Sequence, residues 1–367
     1  MMEFPIFQLE RSQTLYENSV EINLTESGVH PACVGDLVDN DLGELLSLQL
    51  GYGYTDGTPA LRQAIADWHP GAAPENVLVA NGTSEANLLA LLSVAKPGGH
   101  IVVITPNFMQ LDGMARALGV EVATVALRPE NNWQPDPDAV RAAVRPDTCL
   151  ITLCDPNNPT GVAMTPNSRG SLVDVAEEAG VWLLIDEIYR GSEIDDLPAA
   201  TAWGLGDKVI VTGGLAKSFG CPGLRMGWCI APSELVSRMH ERQDYTTIGT
   251  GALAQYLARR CLVQPLRDKL LQRGRNILRQ GREQVAEWVS GMPGWSWVKP
   301  DASGMAFLSY PMDVPSDVWC ANLRKDTGVF VCAGAWFGIE GHIRLGFGVE
   351  SDHLRTGLAR ISEYAAR

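Results

Sequence analysis

The chain has 367 residues, of which 46% are hydrophobic and 20% are charged, so it is typical of a soluble globular protein and not of a disordered one. Its net charge of −14 argues against binding to nucleic acid or to an anionic membrane, because both need a basic protein face. The length favours one large domain with a smaller one, or two domains.

Short apolar runs alternate with amphipathic stretches in the middle of the chain, whereas the first 40 residues show no clean period and predict an arm. The apolar runs predict buried strands at Val77–Ala80, Ile101–Thr105, Glu121–Val125, Leu150–Leu153, Val181–Ile185, Val209–Thr212 and Trp228–Ile230. The amphipathic stretches predict helices at Glu85–Val94, Phe108–Leu118, Asp138–Val144 and Ser171–Glu178. This alternation predicts a three-layer, doubly wound α/β fold with a mostly parallel sheet and helices on both faces.

After Pro232 the pattern changes to a smaller α+β arrangement. Residues 249–289 are mostly helical, and they are followed by predicted strands at Trp295–Val298, Ala306–Ser309 and Ile343–Leu345 and by predicted helices at Ser316–Asp326 and from Asp352 onward. We therefore divide the chain into an N-terminal arm with part of the small domain (1–40), a large domain (41–285) and a small C-terminal domain (286–367).

The cysteines and the N-terminus favour a cytoplasmic enzyme. The eight cysteines form no CxxC pair and have no zinc-like spacing with the six histidines, so we expect reduced core residues and no metal site. Residues 1–11 lack the apolar run of a signal peptide, and runs such as Val181–Ile185 are too short to span a bilayer.

Two loops that follow predicted strands carry unusual polar residues. In an open α/β sheet, ligands bind at the carboxyl ends of the strands. The segment Asp155–Gly161 (DPNNPTG) holds more Pro and Asn than a tight turn requires, and a fixed Asn side chain there can donate to a ligand oxygen. Asp186 and Tyr189 stand three residues apart at another strand end and can face one crevice, although Asp186 alone could be a helix cap.

Two further loops favour a nucleophile and an anion site. Lys217 lies among small residues in a glycine-flanked loop, where partial desolvation would make its amine nucleophilic; the alternative is an exposed loop lysine. The turn Asn81–Ser84 precedes a predicted helix and could bind phosphate at the helix N-terminus, although Ser and Thr are also common helix caps.

In this order, the segments NNPTG, DEIY, AKSFG and GLRMG resemble the class I/II aminotransferases of fold type I, which depend on pyridoxal 5′-phosphate (PLP). The resemblance extends from about Asn23 to the end of the chain. It implies that Lys217 holds PLP as a Schiff base and then moves the Cα proton as general base and acid. It also implies that Asp186 keeps the pyridine nitrogen protonated and that Asn158 and Tyr189 bind the 3′-oxygen of the ring.

The resemblance also implies a phosphate site. Arg225 would bind the phosphate with its planar guanidinium, and Gly82, Thr83 and Ser84 would supply backbone and hydroxyl donors to it. Phe108 falls where the family stacks an aromatic ring on the pyridine; the alternative is a plain core phenylalanine.

Two more residues acquire roles from the resemblance. Arg344 matches the arginine that binds the substrate α-carboxylate, next to Asn158. Tyr52 matches a tyrosine that reaches the phosphate of the partner subunit, and the alternative register gives Tyr54. A shared site of this kind implies a homodimer with two composite active sites.

The N-terminal arm carries the information on the reaction. Its segment Asn23–Pro31, preceded by Phe7–Glu10, resembles the capreomycidine synthase group, which implies elimination of the hydroxyl of a hydroxyarginine and closure of the guanidine onto the side chain. The candidate substrate-binding residues on the arm are Glu10, Thr25, Glu26, Ser27 and Gly28. The alternative is an ordinary class I/II aminotransferase that moves an amino group between an amino acid and a 2-oxo acid.

Overall fold

The computed structural model describes residues 3–38, 42–195 and 200–367. Its helices are α1 (Gln8–Tyr16), α2 (Val34–Leu37), α3 (Gly43–Leu46), α4 (Pro59–Trp68), α5 (Thr83–Val94), α6 (Gln110–Ala117), α7 (Pro137–Ala143), α8 (Pro166–Ala179), α9 (Ser233–Gln243), α10 (Ala252–Leu262), α11 (Leu266–Ser290), α12 (Ser316–Thr327) and α13 (Ser351–Ala365). Within the described ranges, no helix combines the length and the apolar character that crossing a membrane requires.

The strands are β1 (Ile22–Asn23), β2 (Val77–Ala80), β3 (His100–Thr105), β4 (Glu121–Ala126), β5 (Thr148–Cys154), β6 (Trp182–Asp186), β7 (Val209–Gly214), β8 (Gly227–Ile230), β9 (Ser296–Trp297), β10 (Met305–Ser309), β11 (Val329–Phe330), β12 (Cys332–Ala333) and β13 (His342–Gly346). Seven of them form one sheet in the order β2-β8-β7-β6-β5-β3-β4. Its neighbours are parallel except that β8 is antiparallel to both β2 and β7. The predicted doubly wound α/β fold is confirmed.

Successive residues of the central strands enter two different cores, because side chains alternate between the faces of a strand. On β6, Leu183 and Ile185 pack into one hydrophobic core and Leu184 into the other. All three side chains are fully buried. Helices cover the sheet on both faces, which is why its strands are continuous runs of Val, Ile and Leu.

A second, four-stranded antiparallel sheet in the order β12-β13-β10-β9 forms a separate core with α11, α12 and α13. The arm joins this part, because β1 pairs in parallel with β11 and the amide of Gly346 donates to the carbonyl of Leu24 at 2.8 Å. The predicted boundary between residues 40 and 41 lies outside the described residues. The predicted boundary after residue 285 falls inside the continuous helix α11, so the division into domains stays a prediction.

Some elements differ from the sequence prediction. Helix α1 was not predicted because residues 8–16 are mostly polar and only Leu9 is buried. Helices α4 and α9 were also missed. The helix expected from Phe108 begins instead at Gln110, and the Phe108 amide donates to the Asn107 side chain at 2.7 Å before the helix starts.

All eight cysteines are unpaired thiols. Six of them are buried, in agreement with the prediction of reduced core residues. Cys149 is half-buried, and Cys33 is exposed, which corrects the expectation of a core position for that residue. Cys33 lies at the start of α2, where Asp36 accepts a hydrogen bond from its amide at 2.9 Å.

Candidate active site

The strand ends that carry the predicted motifs meet at one edge of the seven-stranded sheet. Strands β2, β5, β6 and β7 end at this edge, and the antiparallel β8 begins there. A cavity of about 310 Å³ lies at this edge. The predicted site residues that line it are Glu10, Ser27, Thr83, Ser84, Phe108, Asn158, Asp186, Tyr189, Lys217, Arg225 and Arg344, together with Glu26.

Asp186 ends β6 as a buried carboxylate with hydrogen-bond donors at both oxygens. Asn87 Nδ2 lies 2.9 Å from Oδ2, and the amide of Ile188 lies 3.0 Å from Oδ1. Burial raises the pKa of Asp186 to about 6, although the hydrogen bonds from Asn87 and Ile188 and the charge of Lys217 act to lower it. The carboxylate is therefore mostly ionised at neutral pH and can accept a hydrogen bond from a protonated atom of a ligand.

Lys217 lies three residues beyond the end of β7, and the arm packs directly on its loop. The amide of Val29 donates to the Lys217 carbonyl at 3.3 Å. A Cβ on Gly28 would lie only 3.0 Å from Lys217 Cα, so the close approach favours glycine. The amine Nζ lines the cavity 3.7 Å from a carboxylate oxygen of Glu26.

The N-terminus of α5 and the guanidinium of Arg225 lie side by side. Gly82 caps the helix with a φ of +86°, and a Cβ on it would overlap Arg225 Nη2. Thr83 donates its hydroxyl to the carbonyl of Gly213 at 3.0 Å, which fixes the first turn against β7. Ser84 is exposed to the cavity. Free helix amides beside a guanidinium form a binding site for an anion such as a phosphate.

Arg344 is a buried guanidinium with neutral hydrogen-bond acceptors. Its Nη1 donates to Asn158 Oδ1 at 2.9 Å, and its Nη2 donates to the carbonyl of Thr25 at 2.6 Å and to the thiol of Cys332 at 3.3 Å. Its Nε is buried without a hydrogen-bond partner. Among the described residues no carboxylate forms an ion pair with Arg344, so a carboxylate of a ligand would complement it.

Two of the predicted ring contacts, Tyr189 and Phe108, are joined to the arm. The hydroxyl of Tyr189 donates to Ser27 Oγ at 2.8 Å, and burial raises the pKa of Tyr189. Phe108 packs edge-on against Phe7, with ring centroids 5.0 Å apart. The proposed contacts of Tyr189 and Phe108 with a cofactor ring stay predictions.

Polar residues of α1, with Glu17 directly after its last residue, face the cavity from one side of the helix. Glu10, Gln13, Thr14 and Glu17 follow one another at three, one and three residues, which is helical spacing for a single face, and all four line the cavity. We call them the α1 acidic face. Burial and the nearby charges of Glu26 and Glu10 raise the pKa of Glu17. Neighbouring carboxylates repel one another when they are ionised, and a bound cation would offset that repulsion.

Sequence reasoning missed Gln13, Thr14, Glu17 and Asn87, which all line the cavity. Glu17 lies seven residues after Glu10, a spacing that has meaning only once residues 8–16 are known to be helical. Asn87 is a lone carboxamide in the otherwise apolar run Ala86–Leu92, and it is buried. An isolated polar residue inside an apolar helix is the signal that could have identified it, since such a group needs a partner.

Tyr52 and Tyr54 lie apart from the cavity, between α3 and α4. They are 81% and 56% exposed, and neither is among the described residues that line the cavity. A contact of either tyrosine with the phosphate would have to be made to a second copy of the chain, so this role also stays a prediction.

Comparison with known proteins identifies relatives along almost the whole chain. The family model of aminotransferase class I and II matches residues 47–361. The chain is 33% identical to capreomycidine synthase from Streptomyces vinaceus, over 93% of this chain and 89% of that protein. It is 28% identical to the arginine–pyruvate transaminase AruH from Pseudomonas aeruginosa, over 90% of this chain and 86% of that protein.

Solved structures share the fold. A PLP-dependent aminotransferase from Streptococcus suis superposes with a TM-score of 0.94 at 30% identity, covering 100% of this chain and 99% of that one. The PLP-dependent cyclase OrfR superposes with a TM-score of 0.91 at 26% identity, covering 100% of this chain and 98% of that one.

These relatives imply PLP as the cofactor, and the cavity has the side chains to hold it. The Lys217 amine suits the aldehyde of PLP, and the ionised Asp186 suits its ring nitrogen. The α5 N-terminus and Arg225 together suit its phosphate. The backbone of Gly82 and the guanidinium lie so close that a Cβ on Gly82 would overlap Arg225, so both can contact one anion.

We predict that Lys217 carries PLP. The purified protein should be yellow, and borohydride should fix the cofactor to the peptide that contains Lys217, as read by mass spectrometry. Lys217→Ala should lower turnover by about 10²–10⁴-fold, because it removes the base that moves the Cα proton. Lys208→Ala, which changes an exposed lysine bonded to the carbonyl of Gly180, is the matched control. Wild-type turnover by a colourless Lys217→Ala protein would contradict the assignment.

We predict that Asp186→Ala lowers turnover by about 10²–10³-fold, because a fixed charge at the ring nitrogen is lost. Some PLP should remain bound through Arg225 and the α5 N-terminus, and absorbance of the purified variant measures it. Asp147→Ala removes a surface carboxylate that pairs with Arg145 and should change neither quantity. Near-normal turnover by Asp186→Ala would show that the aspartate is misassigned.

Proposed function

The chain belongs to the class I and II aminotransferase family and is a PLP-dependent enzyme, and we propose that its substrate is an amino acid with a side-chain guanidinium and a side-chain hydroxyl. The proposed reaction eliminates the hydroxyl and joins a guanidine nitrogen to the side chain. One molecule of water is lost for each ring that forms, and the α-amino group stays on the product.

One observation carries this proposal: the cavity presents a buried arginine and several carboxylates to the same ligand. Arg344 has neutral hydrogen-bond partners, and no carboxylate among the described residues forms an ion pair with it. Its guanidinium therefore suits the α-carboxylate of an amino acid. The carboxylates of the α1 acidic face and of Glu26 suit a cationic side chain, and Gln13 and Thr14 of the same face provide neutral acceptors. A planar guanidinium with five donors uses carboxylates and neutral acceptors together.

The residues around the reacting carbon have separate tasks in this proposal. When bound, PLP withdraws electrons from the Cα of the amino acid and so makes its proton acidic. The Lys217 amine takes that proton and can return it, and Asp186 keeps the electron-withdrawing ring charged. Arg344 orients the substrate, since a two-pronged contact with a carboxylate fixes both position and direction. The arm, packed over Lys217 through Gly28, limits the access of water.

Two of the similar proteins support the proposal by their names, one being a capreomycidine synthase and the other a PLP-dependent cyclase. Transamination of a guanidino amino acid is the second candidate function. The likeness to an arginine–pyruvate transaminase favours it, and the α1 acidic face would serve that substrate equally well. The two candidates differ in what happens to the amino group and to the hydroxyl.

We also propose that two copies of the chain form a homodimer with shared active sites. Apolar side chains at the end of α3 and in the segment before α4 are unusually exposed, with Leu46 at 80%, Leu50 at 84% and Tyr52 at 81%. Exposed apolar patches of this kind commonly mark interaction surfaces. In such a dimer Tyr52, or Tyr54 in the other register, would reach the phosphate of the partner's cofactor.

Product analysis separates the two candidate functions. The holoenzyme is incubated with arginine, 3-hydroxyarginine and 4-hydroxyarginine, each with and without a 2-oxo acid, and the products are identified by mass spectrometry. We expect a hydroxyarginine to lose one water without a 2-oxo acid and to keep its amino group. A new amino acid formed from the 2-oxo acid, with no dehydrated product, would overturn the cyclase proposal in favour of transamination.

The specificity of the cavity is tested with Arg344→Ala, Glu17→Gln and Glu10→Gln, using kcat/KM for a guanidino substrate and a short neutral amino acid. Arg344→Ala should weaken both substrates by about 30-fold or more, because it removes a buried charged contact to the group they share. Each glutamine variant should weaken the guanidino substrate selectively, by a few-fold to about a hundredfold depending on how far the ion pair is desolvated.

The control for these variants is Glu21→Gln. It removes an arm carboxylate that pairs with Arg360 at 2.6 Å and does not line the cavity. This variant should leave both substrates unchanged. Equal losses for both substrates in Glu17→Gln and Glu10→Gln, or no loss in either variant, would remove the α1 acidic face from substrate selection.

A further inference from the structure

A carboxamide on α5 connects the buried carboxylate of Asp186 to the neighbouring strand. Asn87 is 3% exposed and lies in the second turn of α5. Its Nδ2 donates to Asp186 Oδ2 at 2.9 Å, and its Oδ1 accepts the hydroxyl proton of Thr212 at 2.7 Å. Thr212 is fully buried on β7 and stands opposite Asp186 in the register of β6 and β7.

The orientation of the carboxamide follows from its partners. An ionised carboxylate only accepts hydrogen bonds, so the NH₂ group of Asn87 has to face Asp186. Its oxygen then faces Thr212, whose hydroxyl can donate. The hydroxyl therefore holds the carboxamide with a donor directed at Asp186, and neither partner is left unsatisfied.

We infer that Asn87, fixed by Thr212, is a positioning residue that keeps Asp186 ionised and ready to pair with the protonated ring nitrogen of PLP. Donors stand at both oxygens of the carboxylate, from Asn87 and from the amide of Ile188, and hydrogen bonds to the charged form stabilise it relative to the protonated form. Each carboxylate oxygen accepts more than one hydrogen bond, so room remains for the ring nitrogen.

Other ionisable groups also face Asp186. The charge of Lys217 favours its ionised form. Cys154 pairs with Asp186 across β5 and β6, and Tyr189 lies near it, and burial raises the pKa of both groups so that they stay neutral. Burial of Asp186 itself opposes ionisation. Because its pKa lies near neutral pH, loss of the hydrogen bond from Asn87 would change the fraction of Asp186 that is ionised. The inference applies to elimination and to transamination alike and rests on the predicted contact of Asp186 with PLP.

The test is the pH dependence of PLP binding, measured as the dissociation constant of the holoenzyme from its visible absorbance between about pH 5 and pH 9. When Asp186 of the cofactor-free protein is protonated, binding has to remove that proton, so affinity falls below the pKa of the carboxyl. In Asn87→Leu we expect the acid-side midpoint to move up by about one to two pH units, because a buried hydrogen bond to a charge is lost. Thr212→Val should move it in the same direction by less, and Thr212→Ser should restore it.

Ser93→Ala is the matched control, since it changes another buried residue of α5 whose hydroxyl bonds only within the helix among the described residues. It should leave the midpoint unchanged. A purely structural role for Asn87 would weaken PLP binding equally at every pH, and such a uniform loss, or an unmoved midpoint in Asn87→Leu, would overturn the inference. If Asn87→Leu does not fold, Thr212→Val against Thr212→Ser decides in the same way. Unchanged PLP affinity in Asp186→Asn would instead refute the role of Asp186.

Discussion

The buried negative charge of Asp186 is the constraint on which the rest of the site depends. A carboxylate removed from water takes up a proton unless hydrogen bonds or opposite charges compensate for the lost hydration. Here the compensation comes from α5 through Asn87, from the turn after β6 through the Ile188 amide, and from the loop after β7 through Lys217. These elements are far apart in the chain. The buried charge is therefore stabilised only when helix, strand and loop are assembled in the correct register.

Much of the fold and the site was predictable because it depends on local patterns. The central strands are short apolar runs, and the ends of parallel strands must share one edge, so Asn158, Asp186 and Lys217 could be expected in one crevice before any coordinates were known. The direction of β8 was not predictable, since a fully buried strand has the same pattern in either direction. Because β8 runs antiparallel to β2, Arg225, which precedes β8, lies beside Gly82, which follows β2.

The contacts that escaped prediction depend on register and on weakly patterned sequence. Asn87 acquires its meaning from the pairing of Asp186 with Thr212, which no spacing along the chain reveals. Helix α1 has little apolar periodicity, so the common face of Glu10 and Glu17 could not be seen. The exposure of Tyr52 was likewise invisible to sequence reasoning.

The two halves of the arm are held in different ways. Residues 22–30 are fixed by backbone hydrogen bonds to β11, to Gly346 and to Gly348, at contacts where glycine is needed for the close approach. Helix α1 is anchored by side chains, among them the buried Leu9, and Gln13, which donates to Thr25 at 3.1 Å. Backbone contacts tolerate few sequence changes at the crowded positions, whereas an exposed helix face accepts many. In the proposed enzyme, point mutations on α1 would therefore change which substrate side chain is accepted and leave the residues proposed to hold the cofactor unchanged.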